Sequence, residues 1–205
     1  MLEASGLECV RGQRRLFSGL SCKLEGGDLL HIRGENGSGK TSLLRLLCGL
    51  SLPEAGEVRW GGAPIGKNRA DFHRALVYIG HRDALNGDLS ALENLRAACA
   101  LAGRAAPDLD ARAALRRMGL GGCLHLPCRA LSAGQRRRAA IAGLLLRPGG
   151  VWLLDEPAAA LDDSALRQLD EILAAQAASG GMAVFTSHRE LAAGRARQLR
   201  LADFT

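Results

Sequence analysis

The spacing of apolar residues changes period along the chain, and each change predicts an element. Residues 7 to 33 read as strands, interrupted by the turn Glu25-Gly26-Gly27-Asp28 before the apolar Leu29-Leu30-His31-Ile32. A glycine-rich loop runs from Gly34 to Thr41, and Ser42-Leu43-Leu44-Arg45-Leu46-Leu47-Cys48-Gly49-Leu50 then takes up helical spacing that glycine ends. Alternating Val58 and Trp60 with the pair Gly61-Gly62 predict a hairpin over 56–65, and 75–80 reads as a further strand. From Leu89 to Arg129 the pattern is helical: Ser90-Ala91-Leu92-Glu93 has capping-box spacing, and Ala-, Leu- and Arg-rich sequence follows with a break near Pro107. A second helix opens at Leu131-Ser132-Ala133-Gly134-Gln135 and runs to about Leu146, where Pro148-Gly149-Gly150 stops it. Val151-Trp152-Leu153-Leu154 is apolar at every position, as in a strand buried on both faces, and it ends in Asp155-Glu156-Pro157. A helix over 164–177, a strand over 183–186 and a short tail complete an α/β core.

Composition narrows the class. A chain of 205 residues, 47% hydrophobic and 23% charged, supports one substantial core and argues against disorder. No apolar run approaches ~20 residues, so the chain is expected not to span a bilayer. The first residues, Met1 to Cys9, lack a basic segment followed by an apolar stretch, so no secretory leader is expected. The formal charge of +6 rests on arginine, because Lys23, Lys40 and Lys67 are the only lysines; it suits nucleotides, polyanions or anionic lipid and selects none of them. The six cysteines read as free thiols, and Cys123-x-His125-x-x-Cys128 lacks the spacing and the second pair of a zinc site.

The chemistry begins at the loop. Gly34-Glu35-Asn36-Gly37-Ser38-Gly39-Lys40-Thr41 matches G-x-x-x-x-G-K-[ST], and it lies between a strand and a helix as a phosphate cradle requires. Lys40 is expected to neutralise β- and γ-phosphates, Thr41 to hold Mg2+, and Ser42 to follow at the helix start. Asp155 at the carboxyl end of a buried strand can reach the metal shell, and Glu156 can polarise water; capping the next helix is the plainer use of the same acids. His188, beyond the strand Ala183-Val184-Phe185-Thr186, can donate to a γ-phosphate or orient water, or be merely structural. Ser132-x-x-Gln135 is by itself an ordinary capping box. Arg136-Arg137-Arg138 reads as a solvated helix face ahead of a contact for phosphate-rich partners, since at about 100° per residue only part of the triplet can face any one partner.

Phosphate loop, Leu131-Ser132-Ala133-Gly134-Gln135, Asp155-Glu156 and His188, in that order, resemble the nucleotide-binding subunits of ATP-binding-cassette transporters over essentially the whole chain. The resemblance implies a P-loop core with an antiparallel β subdomain and a helical signature subdomain over about 89–148, all within one domain, 1–205. It implies ATP and Mg2+ as ligands, and a second cassette subunit, as a homodimer packed head to tail, in which Ser132, Gly134 and Gln135 close over the partner's ATP. Asp162 is carried over as part of the loop that communicates across that dimer, with Ala159 where a hydroxyl residue is common. His81, in Tyr78-Ile79-Gly80-His81-Arg82, stands where the family usually has a glutamine that reaches the metal; a neutral imidazole can serve there, or the replacement is structural. Arg11 aligns near the aromatic residue that usually stacks on adenine, and a guanidinium can lie over a π face.

Within that family, Arg11-Gly12-x-Arg14-x-Leu16-Phe17 and Tyr78-Ile79-Gly80-His81 leading to Leu89-Ser90-Ala91-Leu92-Glu93-Asn94-Leu95 resemble the haem-exporter ATP-binding subunits of bacterial cytochrome c biogenesis. That likeness implies a peripheral subunit on the cytoplasmic face of the inner membrane, bound to integral membrane transporter subunits that handle haem. The short stretch beyond His188 predicts no regulatory or second cassette domain. A soluble cassette ATPase of nucleic-acid repair or translation draws on the positive charge but needs inserted arms or paired cassettes, so no direct nucleic-acid contact is expected. A simple P-loop kinase leaves Leu131 to Gln135 unexplained.

Overall fold

The computed structural model describes residues 1–104, 106–192 and 194–205. Two sheets share the chain. An antiparallel sheet of order β2-β1-β4-β5 is built from β1 (Leu2–Arg11), β2 (Arg14–Leu24), β4 (Ala55–Trp60) and β5 (Ala63–Pro64). A second sheet of order β6-β7-β8-β3-β9 contains β3 (Leu29–Arg33), β6 (Leu76–Ile79), β7 (Val151–Leu154), β8 (Met182–Thr186) and β9 (Arg197–Arg200). All its pairings are parallel.

A parallel sheet needs cover on both faces, and the alternation along β7 and β8 supplies both cores. Val151, Leu153, Met182 and Val184 pack with Phe17, Leu20 and the helix α1 (Lys40–Leu47) on one side. Trp152, Leu154, Ala183 and Phe185 pack on the other. That second core takes in Leu92 and Leu95 of α3 (Ala91–Leu101), Leu115 of α4 (Asp108–Arg117), Ile141 of α5 (Ala133–Leu145) and Leu169 of α6 (Asp163–Ala178).

The expected boundaries shift in a few places. The first strand begins at Leu2, and the tail contributes β9, which pairs with β3 through Ile32 and Leu199. A short helix α2 (Arg69–Ala75) precedes β6, where charged residues around a single buried Phe72 concealed the period. The capping box at Ser90 is formed: its hydroxyl accepts from the Glu93 amide at 3.2 Å, and its own amide donates to Glu93 Oε2 at 2.8 Å. The break near Pro107 is the N-cap of α4. Among the described residues, no helix is long and apolar enough to cross a membrane.

Candidate active site

Three adjacent strands of the parallel sheet, β3, β8 and β7, end at one edge, and each feeds a chemical group into a cleft of about 580 Å³ there. Its walls include Glu35, Asn36, Gly37, Gly39, Lys40, Thr41 and Ser42 from the loop after β3. Asp155 and Glu156 come from the end of β7, and His188 from beyond β8. His81, exposed in the segment after β6, lines it as well. Such a crevice beyond the carboxyl ends of parallel strands is where open α/β sheets bind ligands.

The loop is folded by its own groups. Gly39 has φ 105, a left-handed value that turns the chain into α1 and that a side chain would strain. Lys40, only 9% exposed, donates through Nζ to the carbonyls of Gly34 at 2.7 Å and Glu35 at 3.0 Å. Its ammonium thus sits inside the loop, ready for anionic oxygen. Gly34 stands against Ser38, whose buried Oγ has no hydrogen-bond partner among the described residues.

A hydroxyl–carboxylate relay ties the strands together. Thr41 Oγ1 donates to Asp155 Oδ2 at 2.7 Å, and Thr186 Oγ1 donates to Asp155 Oδ1 at 2.9 Å. Thr186 also accepts the Glu156 amide at 2.8 Å. Asp155 is 2% exposed, so its carboxyl oxygens find their hydrogen-bond partners in these donors rather than in bulk water. Glu156 has φ 50, unusual for a residue with a side chain, and its Oε2 accepts the His188 amide at 3.3 Å. His188 Nε2 lies 3.6 Å from Glu156 Oε1, an oxygen that is buried without a hydrogen-bond partner among the described residues. Of these two orphaned oxygens, that of Glu156 belongs to a residue lining the cleft, whereas Ser38 is outside that lining and lies against Gly34. Thr41 and Asp155 form the hard-oxygen set that Mg2+ prefers.

Other expected residues lie elsewhere. Ser132, Gly134, Gln135 and Asp162 are outside this cleft. Ser132 is the N-cap of α5: its Oγ accepts from the Gln135 amide at 3.1 Å and its amide donates to Gln135 Oε1 at 2.8 Å. Gly134 packs so tightly that a Cβ would stand 2.8 Å from the Ala160 carbonyl oxygen. Asp162 caps α6 through Oδ1, which accepts the Ala165 amide at 2.9 Å, and pairs with Arg138 of α5. That amide, with Arg138 beside it, holds the Asp162 carboxyl below its ordinary value. Arg11 does not line the cleft; its Nη2 donates to Ser51 Oγ at 3.3 Å, and Leu16 of β2 forms the wall instead. Cys123 and Cys128 are buried, and His125 meets Arg112 at 3.2 Å.

Two residues central to this geometry were not marked from sequence. Thr186 is a polar side chain at the end of a buried apolar strand, a position that demands a partner. Arg137 corrects the expectation of a solvated arginine face: it is 3% exposed. It shares the inward stripe of α5 with Ile141 and Leu144 at helical spacing, a signal the neighbouring arginines hid.

The family model described as ABC transporter matches residues 17–159 of this chain. A cytochrome c biogenesis ATP-binding export protein CcmA of Dechloromonas aromatica is 51% identical over 203 residues, covering 98% of this chain and all of that one. Its namesake in Pseudomonas aeruginosa is 47% identical, covering 98% of this chain and 99% of that one. Among solved structures, a putative ABC transporter ATP-binding protein of Pyrococcus furiosus matches with TM-score 0.86 and 23% identity, over 100% of this chain and 98% of that one. A dimeric bacterial ABC transporter cassette matches with TM-score 0.84 and 22% identity, over 98% and 95%. At those identities the structural likeness is one of fold.

Proposed function

Since this chain belongs to the ABC transporter family, we propose that it is the ATP-hydrolysing cassette of a cytochrome c biogenesis exporter, working as a head-to-tail homodimer bound to integral membrane subunits. It is an ATPase, and the 51% and 47% identity to export proteins of that system, over nearly the full length, supports the assignment. Its seat is the cytoplasmic face of a bacterial inner membrane, held there by those subunits, which carry the haem.

One observation carries the chemistry: a single cleft contains Lys40, the Thr41–Asp155 pair and the Glu156–His188 pair. The Lys40 ammonium exchanges its loop carbonyls for β- and γ-phosphate oxygens, while the amino-terminal end of α1 adds its dipole. Thr41 and Asp155 would hold Mg2+ directly or through water, and the ion would supply neutralisation of phosphate charge. Glu156 accepts the proton of the water that attacks the γ-phosphorus; the bond to the β–γ bridging oxygen breaks, and ADP and phosphate leave. His188 Nε2, beside Glu156, donates to the γ-phosphate oxygens as their charge redistributes. His81, which lines the same cleft, would orient water or help hold the metal through the lone pair of a ring nitrogen. Ser132, Gly134 and Gln135 complete the second copy's cleft, where Ser132 and the uncommitted amides of the first turn of α5 meet the γ-phosphate.

The test is co-expression with the integral subunits of a cytochrome c biogenesis exporter, followed by membrane fractionation and ATPase assay. The chain is expected to sediment with membranes only when those subunits are present and to lose turnover as Glu156→Gln. Equal sedimentation with and without them refutes the transporter assignment. Unchanged turnover in Glu156→Gln refutes the assigned base.

A further inference from the structure

Arg137 gives all of its side-chain donors to the turns around the cleft. From α5, Nη2 donates to the carbonyls of Asp155 and Glu156, each at 2.6 Å, and Nε donates to the Pro157 carbonyl at 3.3 Å. Nη1 donates to the Gly80 carbonyl at 3.1 Å and to Asp83 Oδ1 at 3.0 Å. Asp155, Glu156 and Pro157 lie just past β7, and Gly80 just past β6, so these carbonyls have left the sheet ladder and converge on one buried point. Converging carbonyl dipoles repel unless a cation with several fixed donors stands at their focus. A planar guanidinium meets that need, with five N–H groups in a rigid fork, where an ammonium offers one point charge.

Glu156 itself is the residue so gripped. Its left-handed φ of 50 is unfavourable for a side-chain-bearing residue, and such conformations persist where surroundings over-determine them. Here the Glu156 carbonyl is held by Arg137 and its amide by Thr186 Oγ1, so the peptide planes on both sides of its Cα are set, and with them the direction of the carboxylate. The same guanidinium flanks His81 on both sides, through Gly80 and Asp83.

We propose that Arg137 is the positioning residue for turnover: it holds the Glu156 carboxylate in attack geometry and locks that carboxylate to α5 and to the His81 segment as one unit. The proposal rests on the ATPase reading, with Glu156 as the base. None of its bonds reaches the phosphate loop of residues 34–41, so it acts on the chemical step and not on nucleotide affinity.

The experiment compares full-length wild type, Arg137→Lys, Asp83→Asn, Glu156→Gln and the double variant Arg137→Lys/Glu156→Gln. It measures ATP Kd by equilibrium titration, kcat at saturating ATP, and the single-turnover rate. Arg137→Lys is expected to lower kcat by about 10- to 100-fold, the scale of an ångström-sized misplacement of a reacting group. Its Kd should stay within about 3-fold of wild type, and adding it to Glu156→Gln should leave the residual single-turnover rate unchanged, because the two residues act as one unit. Asp83→Asn, which removes one partner and leaves the carbonyl contacts, should show a smaller kcat loss with unaltered Kd; it serves as the primary variant if Arg137→Lys does not fold. Unchanged kcat in the folded variants, parallel loss of kcat and affinity, or multiplying losses in the double variant each overturn the proposal. Turnover unchanged by Glu156→Gln overturns the reading of Glu156 as the base instead, and absence of ATP turnover in the wild type overturns the ATPase reading.

Discussion

In the proposed ATPase, Glu156 and Lys40 divide the site between chemistry and binding, and their surroundings explain the division. Lys40 is the buried cation of the loop, bonded among the described residues only to loop carbonyls that phosphate oxygens can replace. Lys40→Ala should therefore lose ATP affinity by at least about 10-fold, since each 1.4 kcal/mol lost is tenfold and a charged hydrogen bond exceeds that. Glu156→Gln keeps the side chain's size and the backbone bonds to Thr186 and Arg137. It should bind ATP like wild type while turnover falls by about 100-fold or more, the range of a lost general base. Equilibrium titration beside steady-state assay separates the two, and equal loss of nucleotide in both variants refutes the division. Both residues were legible in the sequence because motif spacing names them. Thr186 and Arg137 were not, because their meaning lies in carbonyls and amides that only folding brings near.

Strand β3 supplies more than a scaffold for the loop. His31, its middle residue, is 2% exposed, stacks on Phe185 of β8 with centroids 4.9 Å apart, and lies 3.0 Å through Nε2 from the Ser187 carbonyl. As a neutral ring, Nε2–H donates to that carbonyl and fixes the backbone next to His188. Burial pushes the His31 imidazole below its ordinary value; the Ser187 carbonyl opposes this, Arg33 adds to it, and Glu156 and Glu190 pull it back. The depressed folded value sets the sign. Above the unfolded value of about 6.5 the ring is neutral in both states and its contribution is complete; as pH falls below that, the unfolded chain takes up the proton first and stability is lost. His31→Gln retains a donor for the Ser187 carbonyl without a titrating group. Urea midpoints measured from pH 8 to pH 5 should fall less steeply in His31→Gln than in wild type, and parallel curves refute the assignment. Helix α5 shows the same dependence on context: its capping box was readable from Ser132 and Gln135, whereas its buried arginine was masked by a charged triplet.

The whole molecule presents its nucleotide cleft at one sheet edge and its Ser132 helix start outside that cleft. In the proposed head-to-tail homodimer these are the two halves of one site, which a single chain does not itself join. Ligand held by one half strengthens association of the other by mass action. In Glu156→Gln, where ATP is bound and not consumed, saturating ATP should shift the chain from monomer to dimer. Adding Ser132→Arg, which sets a bulky cation on the exposed cap, should return it to monomer. Light scattering at high protein concentration reads both outcomes, and a monomer persisting in Glu156→Gln at saturating ATP counts against the paired arrangement.

What the sequence determined by itself is local and periodic. The strand-loop-helix around Lys40, the buried strand before Asp155, and the caps at Ser90 and Ser132 each depend on residues a few positions apart, whose spacing expresses backbone geometry directly. Tertiary structure decided what depends on strand order. β8 lies between β7 and β3, so Thr186 can reach both Asp155 and Glu156, and β6 lies beside β7, so Arg137 can meet carbonyls from both strand ends. It also decided that Leu16, rather than Arg11, walls the cleft, because the β1–β2 turn carries Arg11 toward Ser51. Hydrophobic period states which face of an element is buried; which buried polar group finds which partner is settled only when the elements are packed together.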